Sequence, residues 1–182
     1  HPYMTAYVIY GMSLAREAGY DINENVFDNG LNNLKNQISN AKPDIDETTL
    51  SYMIYSLSEA LKETTVKRSA FDEEINILLR KDLGSYPLSL IAIALKNMQQ
   101  DQKAKEVVAK LKKQVSEEKS FAFWGGEEWH YQWQNDNVQG TAFAVKALLN
   151  IEGNSDLISK AINWLMKKKQ GYSWRSTQET SI

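Results

Sequence analysis

The sequence predicts an all-α fold, a partial α/α toroid in which inner and outer helices alternate. Three observations predict it: four segments repeat one small-and-apolar pattern, one-faced amphipathic segments lie between them, and prolines stand where helices should start. The repeated segments are Thr5-Ala6-Tyr7-Val8, Leu50-Ser51-Tyr52-Met53, Leu88-Ser89-Leu90-Ile91 and Thr141-Ala142-Phe143-Ala144. Aligning Tyr7, Tyr52, Leu90 and Phe143 gives spacings of 45, 38 and 53 residues. A small residue precedes each anchor (Ala6, Ser51, Ser89, Ala142) and another follows four positions later (Gly11, Ser56, Ala94, Ala147), so neighbouring helices can approach closely. A period of about 40–50 residues built from helix pairs marks a solenoid or a closed ring.

The elements follow in order. Pro2 opens the first apolar helix, since proline at the first helical position forfeits only an N–H that would be unpaired anyway. Val26, Phe27, Gly30, Leu31, Leu34 and Ile38 then fall at steps of three and four, the stripe of an outer helix. Pro43 opens or flanks the next inner helix, which carries Tyr52. Ile75, Leu78 and Leu79 mark a second outer helix, and Pro87 is expected to open the third inner one. Ala104, Val107, Val108, Leu111 and Val115 stripe the outer helix after it, and Leu157, Ile158, Ala161, Trp164 and Leu165 the last. The inner helices, apolar nearly all round, should be buried on most sides.

Residues 117–137 interrupt the repeat and explain its longest spacing. They hold Phe121, Phe123, Trp124, Trp129, Tyr131 and Trp133 around Gly125-Gly126, which reads as the turn of a short aromatic hairpin or loop inserted before the fourth inner helix.

Composition narrows function. Apolar residues are 42% and charged residues 24%, ordinary for a globular chain, and 21 basic against 23 acidic residues leave a net charge of −2. That balance gives no electrostatic reason to expect nucleic acid or direct membrane contact. There is no cysteine and only two histidines, His1 and His130. Disulfides, thiolate nucleophiles, cysteine zinc sites and iron–sulfur clusters are excluded, and neither a cofactor nor a metal site is expected.

Three constellations invite a chemical reading. Glu127, Glu128, His130 and Asp136 sit among the aromatics of the insertion, where carboxylates beside stacking rings would suit a glycosidase. The plainer reading is that the rings cover a seam. Asp44-Ile45-Asp46-Glu47-Thr48-Thr49 resembles the acidic motif of class II terpenoid cyclases, and Gln170-Gly171-Tyr172-Ser173-Trp174 resembles their Gln–Trp repeat. Here Glu47 stands in place of a fourth Asp and the Gln–Trp pattern occurs once, so an acidic helix start is the favoured reading. Lys103, Lys105, Lys110, Lys112, Lys113 and Lys167-Lys168-Lys169 read as wet helix faces and a helix C-terminus. No residue is assigned a catalytic, cofactor-binding or metal-binding role.

One resemblance covers nearly the whole chain. Met4-Thr5-Ala6-Tyr7-Val8, then Asp46-Glu47-Thr48-Thr49-Leu50-Ser51, then Asn137-Val138-Gln139-Gly140-Thr141-Ala142-Phe143, then Trp164-Leu165 followed by Gly171-Tyr172-Ser173-Trp174-Arg175-Ser176-Thr177-Gln178-Glu179-Thr180 occur in the order of a known family. Together they resemble the thioester domain of the alpha-2-macroglobulin and complement family, especially its bacterial members. The resemblance implies a six-pair α/α toroid, of which residues 1–182 would be a single-domain fragment of about four pairs. It implies a role in a broad-spectrum protease inhibitor: structural, not enzymatic, with target proteases met through the parent protein and β-sandwich domains of the same chain as neighbours. It also implies export to the periplasm or cell exterior, with a lipid anchor on the parent. The family's Cys-x-x-Gln thioester element is not in this sequence. A toroidal terpenoid cyclase or glycosidase, and a helical-repeat binding module, are the alternatives. As an edge of a ring, the first helix is expected to expose apolar side chains.

Overall fold

A computed structural model describes residues 2–41, 45–62, 71–125 and 137–169. Among them are eight helices: α1 (Pro2–Glu17), α2 (Glu24–Ser39), α3 (Glu47–Leu61), α4 (Asp72–Leu79), α5 (Ser85–Asn97), α6 (Asp101–Lys112), α7 (Asn137–Ile151) and α8 (Asp156–Lys168). A two-stranded antiparallel hairpin, β1 (Ser116–Glu117) with β2 (Ala122–Phe123), lies between α6 and α7. The fold is all-α, and apolar and one-faced helices alternate as the repeat predicts. No helix among the described residues is long and apolar enough to cross a membrane.

The chain divides into two compact units. The first holds residues 1–83 and 94–100. Its centre is α3, where Tyr52 through Ala60 is buried on every side of the helix. The one-faced α2 lays Phe27, Leu31, Leu34 and Ile38 inward, and its start is fixed by Asn23, whose side-chain oxygen accepts from Val26 N–H at 3.1 Å. Gly30 lets α2 come against α1, because a Cβ there would run into the end of Ile9. Arg16, in the last turn of α1, lies 4.5 Å over the Phe27 ring and donates to the Ala60 carbonyl at 3.1 Å.

The second unit holds residues 84–93 and 101–182. α6 buries Ala104, Val107, Val108 and Leu111, and α8 buries Ile158, Ala161 and Trp164. α8 starts on Ser155, which accepts from Ile158 N–H at 3.4 Å. On α7, Phe143 meets Tyr86 edge-on at 5.1 Å.

α1 exposes apolar side chains, as expected of it in particular and unlike the buried α3: Ala6, Ile9 and Ser13 are buried, while Met4, Tyr7, Val8 and Leu14 are exposed. Its neighbours α2 and α3 cover one side only. Pro87 does not open α5, which begins at Ser85. Proline is accommodated there because a third-position N–H has no intrahelical acceptor either. The described hairpin turns ahead of Gly125-Gly126, between Glu117 and Ala122, closed by Glu118 N–H donating to the Phe121 carbonyl at 2.8 Å, and Gly126 lies outside the described residues. Gly125 instead carries the chain away from β2 at φ 119°, against Asn137 at the start of α7.

Candidate functional site

The acidic start of α3 is a helix cap. Asp46 is extended (φ −67°, ψ 156°), and its Oδ1 accepts from Thr49 N–H at 2.9 Å while Oδ2 accepts from the Thr49 hydroxyl at 2.7 Å. Both carboxylate oxygens are thereby occupied by one residue three positions on, the arrangement that satisfies an orphan N–H at a helix start. Glu47 pairs with Lys81 at 2.6 Å, and that hydrogen bond, with the helix's own N–H groups, holds its carboxyl below the usual range. Asp44 lies outside the described residues. The geometry serves helix initiation. It does not hold Asp46 as a free acid facing a cavity, which alkene protonation would need.

The aromatic insertion packs inward. Phe123 stacks on Trp164 with centroids 5.0 Å apart and planes 12° off parallel. Trp124 is fully buried, and its indole N–H donates to the Leu111 carbonyl at 2.8 Å, closing the C-terminal end of α6. Lys167 sits 4.6 Å over Phe121 and Lys168 5.2 Å over Trp164, so the last turn of α8 lies across these rings. Lys160 bridges Glu117 at 2.6 Å and Asp156 at 3.1 Å, and the hydrogen bond to Glu117 raises its pKa. Glu127, Glu128, His130 and Asp136, with Trp129, Tyr131, Trp133 and Gln170-Gly171-Tyr172-Ser173-Trp174, lie outside the described residues. Among the described residues no three His, Cys, Asp or Glu side chains gather as a metal site.

The densest polar arrangement was not singled out in the sequence. Tyr3 stacks on Tyr52 at 4.8 Å, Tyr52 leans on Tyr55 at 6.2 Å, and Tyr10 meets Tyr55 at 5.4 Å, with the Tyr55 and Tyr10 hydroxyls 3.1 Å apart. Burial pushes the Tyr52 and Tyr55 hydroxyls well above the ordinary tyrosine pKa, and Tyr3 upward. One turn further along α3, the nearly buried Glu59 accepts from Asn97 Nδ2 at 2.9 Å and faces Lys62 at 3.6 Å. Lys62 also holds Glu17 at 2.9 Å, which raises the lysine's pKa. The ladder and its ion cluster join α1 to α3 along their length. The available signal was the offset of 45 that maps Tyr7 onto Tyr52 and Tyr10 onto Tyr55.

Against this geometry stands a comparison with known families. The sequence profile of the A-macroglobulin TED domain matches residues 44–182. The chain belongs to that family. The A-macroglobulin TED domain is a helical α/α-toroid fold, and the chain is part of an alpha-2-macroglobulin-like protein, a family that is generally non-enzymatic. In the TED domain the match takes in α3 to α8 and the segment from Gly171 to Thr180, while α1 and α2 fall before its start. Among curated proteins no match is found.

Proposed function

We propose that this TED domain is a structural and docking part of a bacterial, broad-spectrum protease inhibitor of the alpha-2-macroglobulin type. The observation that carries the reading is the family match over residues 44–182. Two features support it. The chain has no cysteine, hence no thiol that could form or leave a thioester. At the acidic start of α3, Asp46 is occupied in capping the helix and Glu47 in pairing with Lys81. On this reading the domain contributes helical structure, other domains meet the protease, and β-sandwich domains of the same protein are its neighbours. The parent is exported and stands in the periplasm or outside the cell, lipid-anchored.

The test is an inhibition assay with trypsin and elastase. The isolated chain should leave both enzymes fully active on casein. The complete parent polypeptide should slow casein hydrolysis by both while sparing a small chromogenic peptide, as a steric trap does. A parent that protects casein from neither enzyme would overturn the proposal.

A further inference from the structure

The exposed side of α2 is built from carboxamides. Half of the chain's fourteen asparagines stand in residues 23–40. Asn25, Asn29, Asn32 and Asn36 are exposed, and each stands two residues ahead of a buried one: Phe27, Leu31, Leu34 and Ile38. Two residues are just over half a helical turn, so the carboxamides form a stripe opposite the core stripe. The charges of the helix, Glu24, Asp28 and Lys35, share one flank and leave the stripe neutral. Asn40 spends its Nδ2 on the Asn36 carbonyl at 2.8 Å, while the side chains of the four striped asparagines bond no other residue among the described ones. A wet helix face is ordinarily built from lysine and glutamate, as on α6 with Lys105, Glu106, Lys112 and Lys113. Asparagine is a weaker helix former, because its side chain competes for the backbone. Four in one stripe go against local propensity, and such departures mark functional surfaces. Unlike an unfinished apolar edge, this face is polar, and the core stripe on its far side is already buried. It also precedes the residues that the family profile matches.

We propose that this stripe binds an uncharged, extended β-linked polysaccharide of the cellulose and chitin kind. A carboxamide both donates and accepts, as do the hydroxyl and acetamido groups of such a polymer. The neutrality of the stripe disfavours nucleic acid and other polyanions, which need lysine and arginine. Spacing narrows the class further. The four asparagines occur once per turn, so they repeat about every 5.4 Å over roughly 16 Å. A pyranose unit in an extended β-linked chain advances by nearly the same length. An extended peptide repeats its outward groups about every 6.8 Å and falls out of register within three turns. Tyr20, three residues before the Asn23 cap, leaves its ring 72% exposed beside the start of α2, where the C–H face of a sugar can pack. The stripe is open and its hydrogen bonds compete with water, so binding is weak, with a Kd on the order of 1 mM for a hexasaccharide. The surface is read from α2 alone and stands whether or not the parent inhibits proteases.

Two-dimensional NMR on the isotope-labelled 182-residue chain decides it, with cellohexaose and chitohexaose as probes. Side-chain NH2 and backbone signals of residues 25–40 should shift with at least one of the two and saturate with the Kd given above. Cellobiose and chitobiose, which reach only one or two of the asparagines, should bind at least tenfold more weakly. The variant Asn25→Ala/Asn29→Ala/Asn32→Ala/Asn36→Ala puts a better helix former at four exposed positions, so it should fold and melt no lower than wild type. Its affinity should fall at least tenfold. No shift with either hexasaccharide at about 10 mM, a disaccharide that binds as tightly as its hexasaccharide, or a variant that binds as tightly as wild type overturns the proposal. So does a longer polypeptide in which a neighbouring domain already protects these carboxamides. That last result would assign the stripe to a protein partner.

Discussion

Trp124 and Thr141 grip each other's polar groups at the base of the hairpin: Trp124 N–H donates to the Thr141 hydroxyl oxygen at 3.0 Å, and that hydroxyl donates to the Trp124 carbonyl at 3.3 Å. Both residues are wholly buried. Thr141→Val keeps the shape and removes both partners, leaving a buried N–H and carbonyl unpaired at a cost of roughly 2–4 kcal/mol. Trp124→Phe should also destabilise, since it removes one of the two donors to the Leu111 carbonyl, leaving only Gln114 N–H at 3.0 Å, and empties volume. Urea titration with the midpoint read by far-UV circular dichroism checks both. A Thr141→Val midpoint equal to wild type would show that the reciprocal bond carries no weight.

Gly30 and Ile9 predict a coupled pair. Gly30→Ala gains about 1 kcal/mol of helix propensity but pushes a methyl into the buried end of Ile9, and overpacking costs about 1–3 kcal/mol. The single variant should be less stable than wild type. Ile9→Val removes the offending Cδ1, so the double variant should be more stable than the two single effects added together. Strict additivity would mean that α1 and α2 do not touch there.

α1, α5 and α7 each end on a left-handed residue: Gly19 (φ 83°), Gln99 (φ 59°) and Gly153 (φ 81°). At Gln99 the helix-closing pattern is complete, with Gln99 N–H donating to the Lys96 carbonyl and Gln100 N–H to the Leu95 carbonyl, both at 2.9 Å. Only the residue type departs from the glycine that this conformation favours. Gln99→Gly should therefore stabilise by about 0.5–1 kcal/mol, whereas Gln99→Ala should not. Thermal unfolding of the two variants side by side tests it.

What the sequence discloses depends on how local the physics is. Alternation of inner and outer helices shows because burial leaves a period in the chain. The capping role of Asp46 shows because its partner, Thr49, is three residues away. The Glu47–Lys81 pair, the Arg16 contact with Ala60 and the α1-to-α3 contacts of the tyrosine ladder span 34 to 49 residues and have no local trace. Gly125-Gly126 is the stronger turn signal by composition, and the turn that joins β1 to β2, Glu118–Phe121, is hidden because it contains no glycine. The partial exposure of α1 is invisible to periodicity for the same reason that its helix is obvious: apolar residues occur all around it.

The ladder makes the last prediction, for alkaline pH. Tyrosine is neutral below its pKa, and burial raises the native Tyr52 and Tyr55 values above the reference of 10.0. The unfolded chain releases these two protons near that reference, and the folded chain retains them. Above about pH 10 the unfolded state therefore binds fewer protons than the native state, and stability falls as pH rises. Below pH 10 the contribution is fully present. Absorbance near 295 nm should accordingly show exposed tyrosines ionising first, with Tyr52 and Tyr55 ionising only together with cooperative loss of helix. A Tyr52→Phe/Tyr55→Phe variant should be less stable at pH 7, because Tyr10 loses its hydroxyl partner, yet should lose less further stability between pH 9 and about pH 11. Equal alkaline slopes in variant and wild type, from urea titrations at each pH, would show that the two hydroxyls reach water in the folded chain and that α1 does not seal the ladder against α3.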